Sequence, residues 1–305
     1  MSPQGEEARP RATDIQREGS PVSSPATGLV VGTGAYVYDV VRPWGMLPPG
    51  HSFGLISHVA VDSADRVYFY QRKDPPILVF DREGNFLSGW GDGRLRDAHG
   101  IYVGPDDHLY VCNRDEHEVL ELTPDGRIVL TLGQRGRPAL QAPFNHPADV
   151  AVAANGDIYV ADGYGNSAVH RFSAGGKHLG SWGMPGAARG QFTTPHGIWV
   201  DATDRVLVAD RENNRVQLFS PEGDFYAEWS DLYHPMDIYV DPAGTVYVTD
   251  QIPRITMYSP DGRMLARGRP SAYGGHGVWG DSRGNLYLAE VNVNQVTKLA
   301  RRPIA

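Results

Sequence analysis

Residues 196–211 read HGIWVDATDRVLVADR, which is an apolar strand, a polar turn and a second strand that ends in charged residues. Apolar and polar residues alternate in both strands with a period of two, a pattern typical of half-buried β-strands. Each copy of the unit continues into a third strand and usually a fourth, joined by EG, DG or GG hairpin turns. The other copies of this unit begin at His58, His99, Ala148, Met236 and His276.

Copies of four short antiparallel strands, repeated six times at roughly forty residues, predict an all-β protein with the fold of a six-bladed β-propeller. The last copy stops after its third strand, QVTKLAR, whereas an unassigned strand-like segment at residues 34–44 precedes the first copy. We therefore expect the N-terminal strand to complete the last blade and to close the ring. The predicted domains are a disordered leader over residues 1–28 and a single propeller over residues 29–305.

The composition argues against several classes of function. The chain has 28 Lys and Arg against 36 Asp and Glu, a formal charge of −8, so no basic surplus is present to bind nucleic acid or an anionic membrane. The single cysteine, Cys112, excludes an internal disulfide and a thiolate metal site. The sequence has no apolar stretch of about 18 residues and no signal-peptide core, so we expect a cytoplasmic protein.

One register position of the first strands carries histidine in alternate copies. Four residues before the aligned apolar position, the copies have Ser57, His99, Ala148, His196, Met236 and His276. Alternate blades of a sixfold ring are related by a third of a turn, so we expect the three imidazoles to converge on the channel axis. Each is followed by a glycine, which leaves the backbone beside it uncrowded. His58 lies one position later and is not expected to face the same point.

Three imidazole nitrogens with an open fourth position form a catalytic zinc site, which makes His99, His196 and His276 the predicted ligands of one divalent ion. Iron, cobalt and manganese also suit three imidazoles. The competing interpretation is that these are core or turn histidines bonded to neighbouring carbonyl groups.

The loops between the second and third strands supply a second group of candidate residues on the same face of the disc. Arg72, Arg114 and Arg211 occupy matched positions, and Tyr164 falls one residue later in its loop. A guanidinium can hold a carboxylate bidentately, and a phenol near a divalent cation can act as a general base. We therefore expect a small-molecule or peptidyl carboxylate as substrate. For any single arginine, solvated surface charge is the competing interpretation.

Three phrases are more specific than the repeat itself. They are HPADVAVAANGDIYVADGYGNSAVHRFSAGGKHLGSWG at residues 146–183, GQFTTPHGIWV at 190–200 and VADRENNRVQLF at 208–219. Together they resemble NHL repeats and, within that group, the peptidylglycine (peptidyl-α-hydroxyglycine) α-amidating lyase family. The resemblance implies a six-bladed propeller with catalytic zinc on three histidines, at the positions of His99, His196 and His276.

By this resemblance the reaction is cleavage of the C–N bond of a carbinolamide to an amide and glyoxylate, with zinc polarising the substrate hydroxyl. Tyr164 in the DGYxNS phrase would take a proton, and Arg72 and Arg211 would hold the carboxylate. The family places an aspartate directly after its third zinc histidine, as part of a structural calcium site. Gly277 stands at that position here, which speaks against calcium.

Alternatives remain for the substrate and for the class of protein. Secreted members of the family carry disulfides, which this chain lacks, so a small ureidoglycolate-like substrate competes with a peptide. A non-catalytic NHL-repeat interaction module is the second class, because a fold does not fix a function. A calcium-dependent lactonase-type propeller hydrolase is the third; it would need Glu, Asn and Asp at the channel, where this chain has three matched histidines.

Overall fold

The computed structural model describes residues 26–303, which form a ring of antiparallel β-sheets. The predicted leader lies outside the described residues up to residue 25. The predicted boundary after residue 28 is corrected, because residues 26–28 of the predicted leader belong to the first strand. That strand, β1 (Ala26–Thr33), forms an antiparallel hairpin with β2 (Tyr36–Val41) ahead of the first blade.

Five four-stranded blades follow within the described residues. Blade one contains β3 (Ile56–Val61), β4 (Val67–Gln71), β5 (Ile77–Phe80) and β6 (Phe86–Trp90). Blade two contains β7 (Ala98–Val103), β8 (Leu109–Asn113), β9 (Glu118–Leu122) and β10 (Ile128–Gly133). Blade three contains β11 (Asp149–Val152), β12 (Ile158–Asp162), β13 (Ala168–Phe172) and β14 (His178–Trp182). Blade four contains β15 (Pro195–Val200), β16 (Val206–Asp210), β17 (Arg215–Phe219) and β18 (Phe225–Trp229). Blade five contains β19 (Pro235–Val240), β20 (Val246–Asp250), β21 (Arg254–Tyr258) and β22 (Met264–Gly268).

The sixth blade joins the two ends of the chain. It consists of β23 (Gly277–Gly280), β24 (Leu286–Glu290) and β25 (Gln295–Arg301), followed by β2 and then β1. The pairing of β2 with β25 confirms the predicted closure, while β1 adds a fifth strand that the sequence did not indicate. The first strands of neighbouring blades contact one another around the whole ring, including β23 with β3. The predicted six-bladed propeller is confirmed.

The inner strands are more buried than their period-two alternation indicates. Every residue of the six first strands and of the six second strands among the described residues is buried. Each blade is covered on both faces by its neighbours, so the expected polar face is buried as well. Alternation between exposed and more buried positions survives in outer strands such as β18.

Two 3₁₀ helices of three residues each follow second strands, at Arg114–Glu116 after β8 and at Arg211–Asn213 after β16. Each ends at a residue in the left-handed region, His117 (φ 56°) and Asn214 (φ 58°), which turns the chain into the third strand. The helices therefore place two of the candidate arginines at the start of matched loops. Over residues 26–303, no helix has the length and apolar character needed to cross a membrane.

Candidate metal centre

Three imidazoles meet at one end of the central channel, and we call His99, His196 and His276 the histidine triad. The first lies in β7, the second in β15 and the third directly before β23, so they come from blades two, four and six. Their ring centroids are 4.9, 4.9 and 4.8 Å apart. The pairing register shifts beside the histidine in both β7 and β15, and such a bulge re-aims a side chain. The ligand atoms of the three rings lie within 4.8 Å of one another, close enough to hold a metal ion.

Each imidazole of the triad donates a hydrogen bond from Nδ1 to a backbone carbonyl oxygen of the next blade. The pairs are His99 with Ala148 at 2.6 Å, His196 with Met236 at 2.7 Å and His276 with Ser57 at 2.7 Å. A carbonyl oxygen can only accept, so the proton of each neutral ring is on Nδ1 and the Nε2 lone pair is available to a metal. The donor set therefore fits zinc or another divalent ion that takes imidazole ligands.

The surroundings keep the triad neutral. Burial, followed by the charge of neighbouring imidazoles, lowers the pKa of His99 well below the ordinary value for histidine, and the pKa of His196 falls well below it for the same reasons. Burial, followed by the charge of His58, lowers the pKa of His276 to about 3. All three rings therefore stay in the metal-binding form at neutral pH.

The hydroxyl of Tyr164 lies against the triad. Its oxygen is 2.9 Å from Nε2 of His99 and 3.0 Å from Nε2 of His196. The ring of Tyr164 is flanked by the guanidinium groups of Arg114 and Arg211, at 5.0 and 5.4 Å from its centroid. Arg211 also donates from Nη1 to the hydroxyl oxygen at 3.3 Å. A phenol oxygen in this position can exchange a proton with a group bound at the triad.

Asp97 joins two of the three candidate arginines. Its Oδ1 is 3.0 Å from Nε of Arg72, and its Oδ2 is 2.7 Å from Nε of Arg114. Arg211 pairs instead with Glu212, whose Oε1 accepts from Nε at 2.9 Å. Because these ion pairs use the Nε atoms, the Nη pairs of Arg72 and Arg114 can still be presented to a carboxylate.

The arginines also act electrostatically on the triad. The positive charges of Arg72 and Arg211 contribute to lowering the pKa of His276, and that of Arg114 contributes to lowering the pKa of His99. The structure therefore brings the seven residues singled out in the sequence, three histidines, three arginines and Tyr164, to the same end of the channel.

A second layer of polar side chains lies one residue further along the first strands of the other three blades. It consists of His58 in blade one, Asp149 in blade three and Asp237 in blade five, which we call the lower triad. All three side chains are buried. Nε2 of His58 lies 3.0 Å from Oδ2 of Asp237 and 3.9 Å from Oδ1 of Asp149. His58 is thus outside the histidine triad, as the register indicates, and belongs to a cluster that the sequence analysis missed.

Glycine follows each histidine of the triad because the lower triad occupies the adjacent space. A Cβ at Gly197 would lie 2.8 Å from Cα of Asp237, and a Cβ at Gly277 would lie 2.9 Å from Cα of His58. The same conflict arises at Gly100. The sequence-based interpretation of these glycines is corrected accordingly: they make room for the neighbouring blade and not only for the metal ligand.

An aromatic layer fills the channel beyond the lower triad. Tyr102, Trp199 and Trp279 each come three residues after a histidine of the triad. The ring centroid of Tyr102 is 5.3 Å from that of Trp199 and 5.1 Å from that of Trp279, and the two tryptophans are 4.8 Å apart. A ligand therefore reaches the histidine triad from the loop face.

Two signals for the missed residues are present in the sequence. Where three copies have glycine after the register histidine, the other three have His58, Asp149 and Asp237, so an alternating pattern continues by one position. Asp97 precedes His99 by two residues in a loop, and no repeat in the other copies indicates its role as a bridge.

Comparison with known proteins supports the repeat assignment. The NHL repeat model matches residues 144–172 and 192–219. NHL repeat-containing protein 3 of Homo sapiens is 30% identical over 233 residues, which cover 71% of this chain and 62% of that protein. Peptidyl-alpha-hydroxyglycine alpha-amidating lyase 1 of Drosophila melanogaster is 34% identical over 171 residues, which cover 52% of this chain and 32% of that protein. The chain thus spans less than two thirds of the length of both relatives.

A solved structure shares the same fold. The gluconolactonase XC5397 from Xanthomonas campestris matches with a TM-score of 0.72, over 94% of this chain and 99% of that chain, at 14% sequence identity. With its six blades and central channel, the chain is a β-propeller that contains NHL repeats at residues 144–172 and 192–219. The resemblance to the peptidyl-α-hydroxyglycine α-amidating lyases is confirmed, because proteins of that name are among its homologues.

Proposed function

We propose that this chain is a zinc-dependent carbon–nitrogen lyase that cleaves an α-hydroxyglycine-type carbinolamide to an amide and glyoxylate. The observation that carries the proposal is the contact of the Tyr164 hydroxyl oxygen with Nε2 of His99 and of His196, at 2.9 and 3.0 Å. A proton-transfer group, three imidazole lone pairs and guanidinium groups suited to a carboxylate are the parts that this reaction needs. Homologues that carry the name amidating lyase support the same chemistry.

The histidine triad would hold the ion through its Nε2 atoms, and a zinc ion bound there supplies Lewis-acid polarisation of the substrate hydroxyl. Arg72 and Arg211 would bind the carboxylate and so fix the position of the carbinol carbon. In its phenolate form, Tyr164 takes the hydroxyl proton, and the electron pair of the O–H bond forms the carbonyl of glyoxylate. As the C–N bond breaks, its electron pair goes to nitrogen, which takes the proton back from Tyr164 to complete the amide.

The proposal leaves two forms of leaving amide, a peptide or a small ureidoglycolate-like group. Arg114, which Asp97 holds beside Arg72, is a further contact for the anionic end of the substrate. We include in the proposal that this carboxylate substrate, and not nucleic acid or a membrane, is the binding partner in a cytoplasmic protein. The formal charge of −8 supports the exclusion of nucleic acid and anionic membranes from the proposal.

The test is elemental analysis combined with an assay of glyoxylate release from an α-hydroxyglycine derivative. Wild-type protein should contain about one zinc ion per chain in its catalytic site, and His99→Ala should lose both the ion and the activity. The matched control is His178→Ala, because His178 lies exposed on the outer strand β14. Zinc without glyoxylate release would move the chemistry to another reaction, and loss of activity in the control variant would implicate folding.

A non-catalytic interaction module is the second candidate, favoured by the similarity to NHL repeat-containing protein 3, whose name states no activity. The three neutral imidazoles, whose lone pairs point inward, argue against this candidate, because binding a partner does not require them. Protein purified without any metal, and folded normally, would support this candidate against the lyase. The lactonase-type hydrolase draws on the gluconolactonase structure for its fold alone, and turnover of a lactone with calcium would favour it.

A further inference from the structure

The hydrogen-bonding geometry of the lower triad requires a bound cation that has no role in the proposed reaction. Nδ1 of His58 donates to the carbonyl oxygen of Val59 at 3.1 Å, while Nε2 faces Oδ2 of Asp237 at 3.0 Å. In a neutral ring with its proton on Nδ1, the Nε2 lone pair would face a carboxylate lone pair, which is repulsive. A cation must therefore lie between the two atoms, and it is either a proton or a metal ion.

Calcium, which the amidating lyase resemblance implies beside the zinc site, does not fit this layer. Calcium takes about six to eight oxygen ligands and often includes water among them. The space that the lower triad encloses with the aromatic layer has no room for a water molecule. At Gly277, the position of the family's aspartate, even a Cβ would lie 2.9 Å from Cα of His58. The side chain of His58 thus stands where a calcium ligand would have to enter.

The carboxylates of the lower triad accept hydrogen bonds from backbone N–H groups. Ile198 N–H donates to Oδ2 of Asp149 at 3.0 Å, and Val278 N–H donates to Oδ2 of Asp237 at 2.6 Å. The other oxygen of Asp237 accepts from Ile238 N–H at 2.8 Å. Oδ1 of Asp149 remains as a buried oxygen without a hydrogen-bond partner, 3.9 Å from Nε2 of His58. One open oxygen is too few for a calcium site but is well placed beside a compact organic cation.

We infer that the lower triad is a metal-free ion cluster, in which the protonated imidazole of His58 takes the place of a calcium ion and positions the histidine triad. Charges support this assignment: burial lowers the pKa of His58, but Asp237 and Asp149 together raise it to about 9. Burial also raises the pKa of Asp149 to about 7. One cation, one carboxylate and a partly protonated second carboxylate leave the layer close to neutral without a metal.

The positioning role follows from how the two triads interlock. Each residue of the lower triad directly follows a residue whose carbonyl oxygen orients one imidazole of the histidine triad. In return, Asp149 and Asp237 bind the N–H groups of Ile198 and Val278, each two residues after a metal-ligand candidate. Loss of the cation would leave two buried carboxylates facing each other and would shift the backbone that carries the ligands.

The first test uses wild-type protein. Elemental analysis should find no calcium, and the melting temperature should be the same in millimolar calcium and in a calcium-selective chelator. A stoichiometric calcium ion, or a melting temperature that rises with calcium, would overturn the inference. The result is independent of the lyase proposal, because it does not depend on turnover or on zinc.

The second test reads the protons directly. Long-range ¹H–¹⁵N correlation spectra of histidine-labelled protein at pH 7 should show His58 with both nitrogens protonated. The signal is assigned by its loss in His58→Gln. An unprotonated Nε2 in His58 would overturn the inference.

The third test changes the lower triad into a set of carboxylates that can bind calcium. His58→Asp supplies a third carboxylate, so calcium should raise the melting temperature of this variant, whereas the matched His58→Asn variant should not respond. His58→Asn should also bind zinc about 10-fold to 100-fold more weakly, the usual effect of removing a group that supports a metal ligand. Unchanged zinc affinity in a folded His58→Asn variant would remove the positioning role.

Discussion

The amide N–H of Val278 donates a 2.6 Å hydrogen bond to Oδ2 of Asp237 across the boundary between blades five and six. The same oxygen is 3.0 Å from Nε2 of His58, so one carboxylate links three blades. We expect Asp237→Asn to lower the free energy of unfolding by about 3 kcal/mol, because it removes one partner of a buried ion pair. Urea unfolding measures this, with Asp125→Asn in an exposed turn as the control. Equal stability of the two variants would contradict the ion pair.

Tyr164→Phe removes the hydroxyl group that contacts the histidine triad. We expect kcat for glyoxylate release to fall by about 10² to 10⁴, the range for loss of a general acid–base group. The metal content should stay at the wild-type level, because the triad itself is intact. Tyr226→Phe is the matched control, since Tyr226 is exposed on the outer strand β18. Full activity of Tyr164→Phe would remove this residue from the mechanism.

Asp97→Ala releases the two guanidinium groups that one carboxylate holds. We expect KM to rise about tenfold, equivalent to about 1.4 kcal/mol of substrate binding, with a smaller change in kcat. Steady-state kinetics measure the two effects separately. Asp115→Ala is the control, because Asp115 is exposed and contacts Arg114 (3.0 Å from Oδ1 to Nε) and His146 (3.9 Å), so its removal leaves the Asp97 bridge in place. An unchanged KM in Asp97→Ala would show that the bridge has no part in substrate binding.

Gly197→Ala introduces a Cβ that would lie 2.8 Å from Cα of Asp237. We expect a loss of about 1–3 kcal/mol in the free energy of unfolding, as for other substitutions that overfill a core. Gly180→Ala is the matched control, because a Cβ there meets no atom within 4 Å. Urea unfolding of both variants isolates the steric effect, and a stable Gly197→Ala variant would show that the neighbouring blades can separate without cost.

The lower triad should make stability fall as the pH rises. The folded-state pKa of His58, about 9, exceeds its ordinary value of 6.5, and that of Asp149, about 7, exceeds 3.8. A raised pKa contributes stability that is fully present below the unfolded-state pKa and is lost as the pH passes through the folded-state pKa. For His58 this window runs from 6.5 to about 9. The imidazoles of His196 and His276, which also interact with His58, have lowered pKa values and stay neutral in this window.

Urea unfolding at several pH values between 6.5 and 9 measures this dependence on His58. In His58→Gln the decrease over the window should flatten, since glutamine does not titrate. A slope that is identical in the wild type and in His58→Gln would assign the effect to other groups.

The repeats made the fold predictable, because each copy carries both the strand alternation and the turn residues. Aligning the copies also singled out the register position of His99, His196 and His276, since a ring places equal positions at equal depth. The lower triad was missed because its members share a position and not a residue type: His58 and Asp149 look unrelated until a structure shows them in contact. The fifth strand, β1, was missed because it has no counterpart in the other copies.

The histidine triad draws its members from blades two, four and six, and the last of these blades also needs β2 from the other end of the chain. A ribosome releases His276 only after it has synthesised blades one to five. A chain terminated before residue 276 would carry at most two of the three imidazoles, fewer than the three protein ligands of a catalytic zinc site. Binding of a metal ion by all three imidazoles would therefore require translation to pass residue 276.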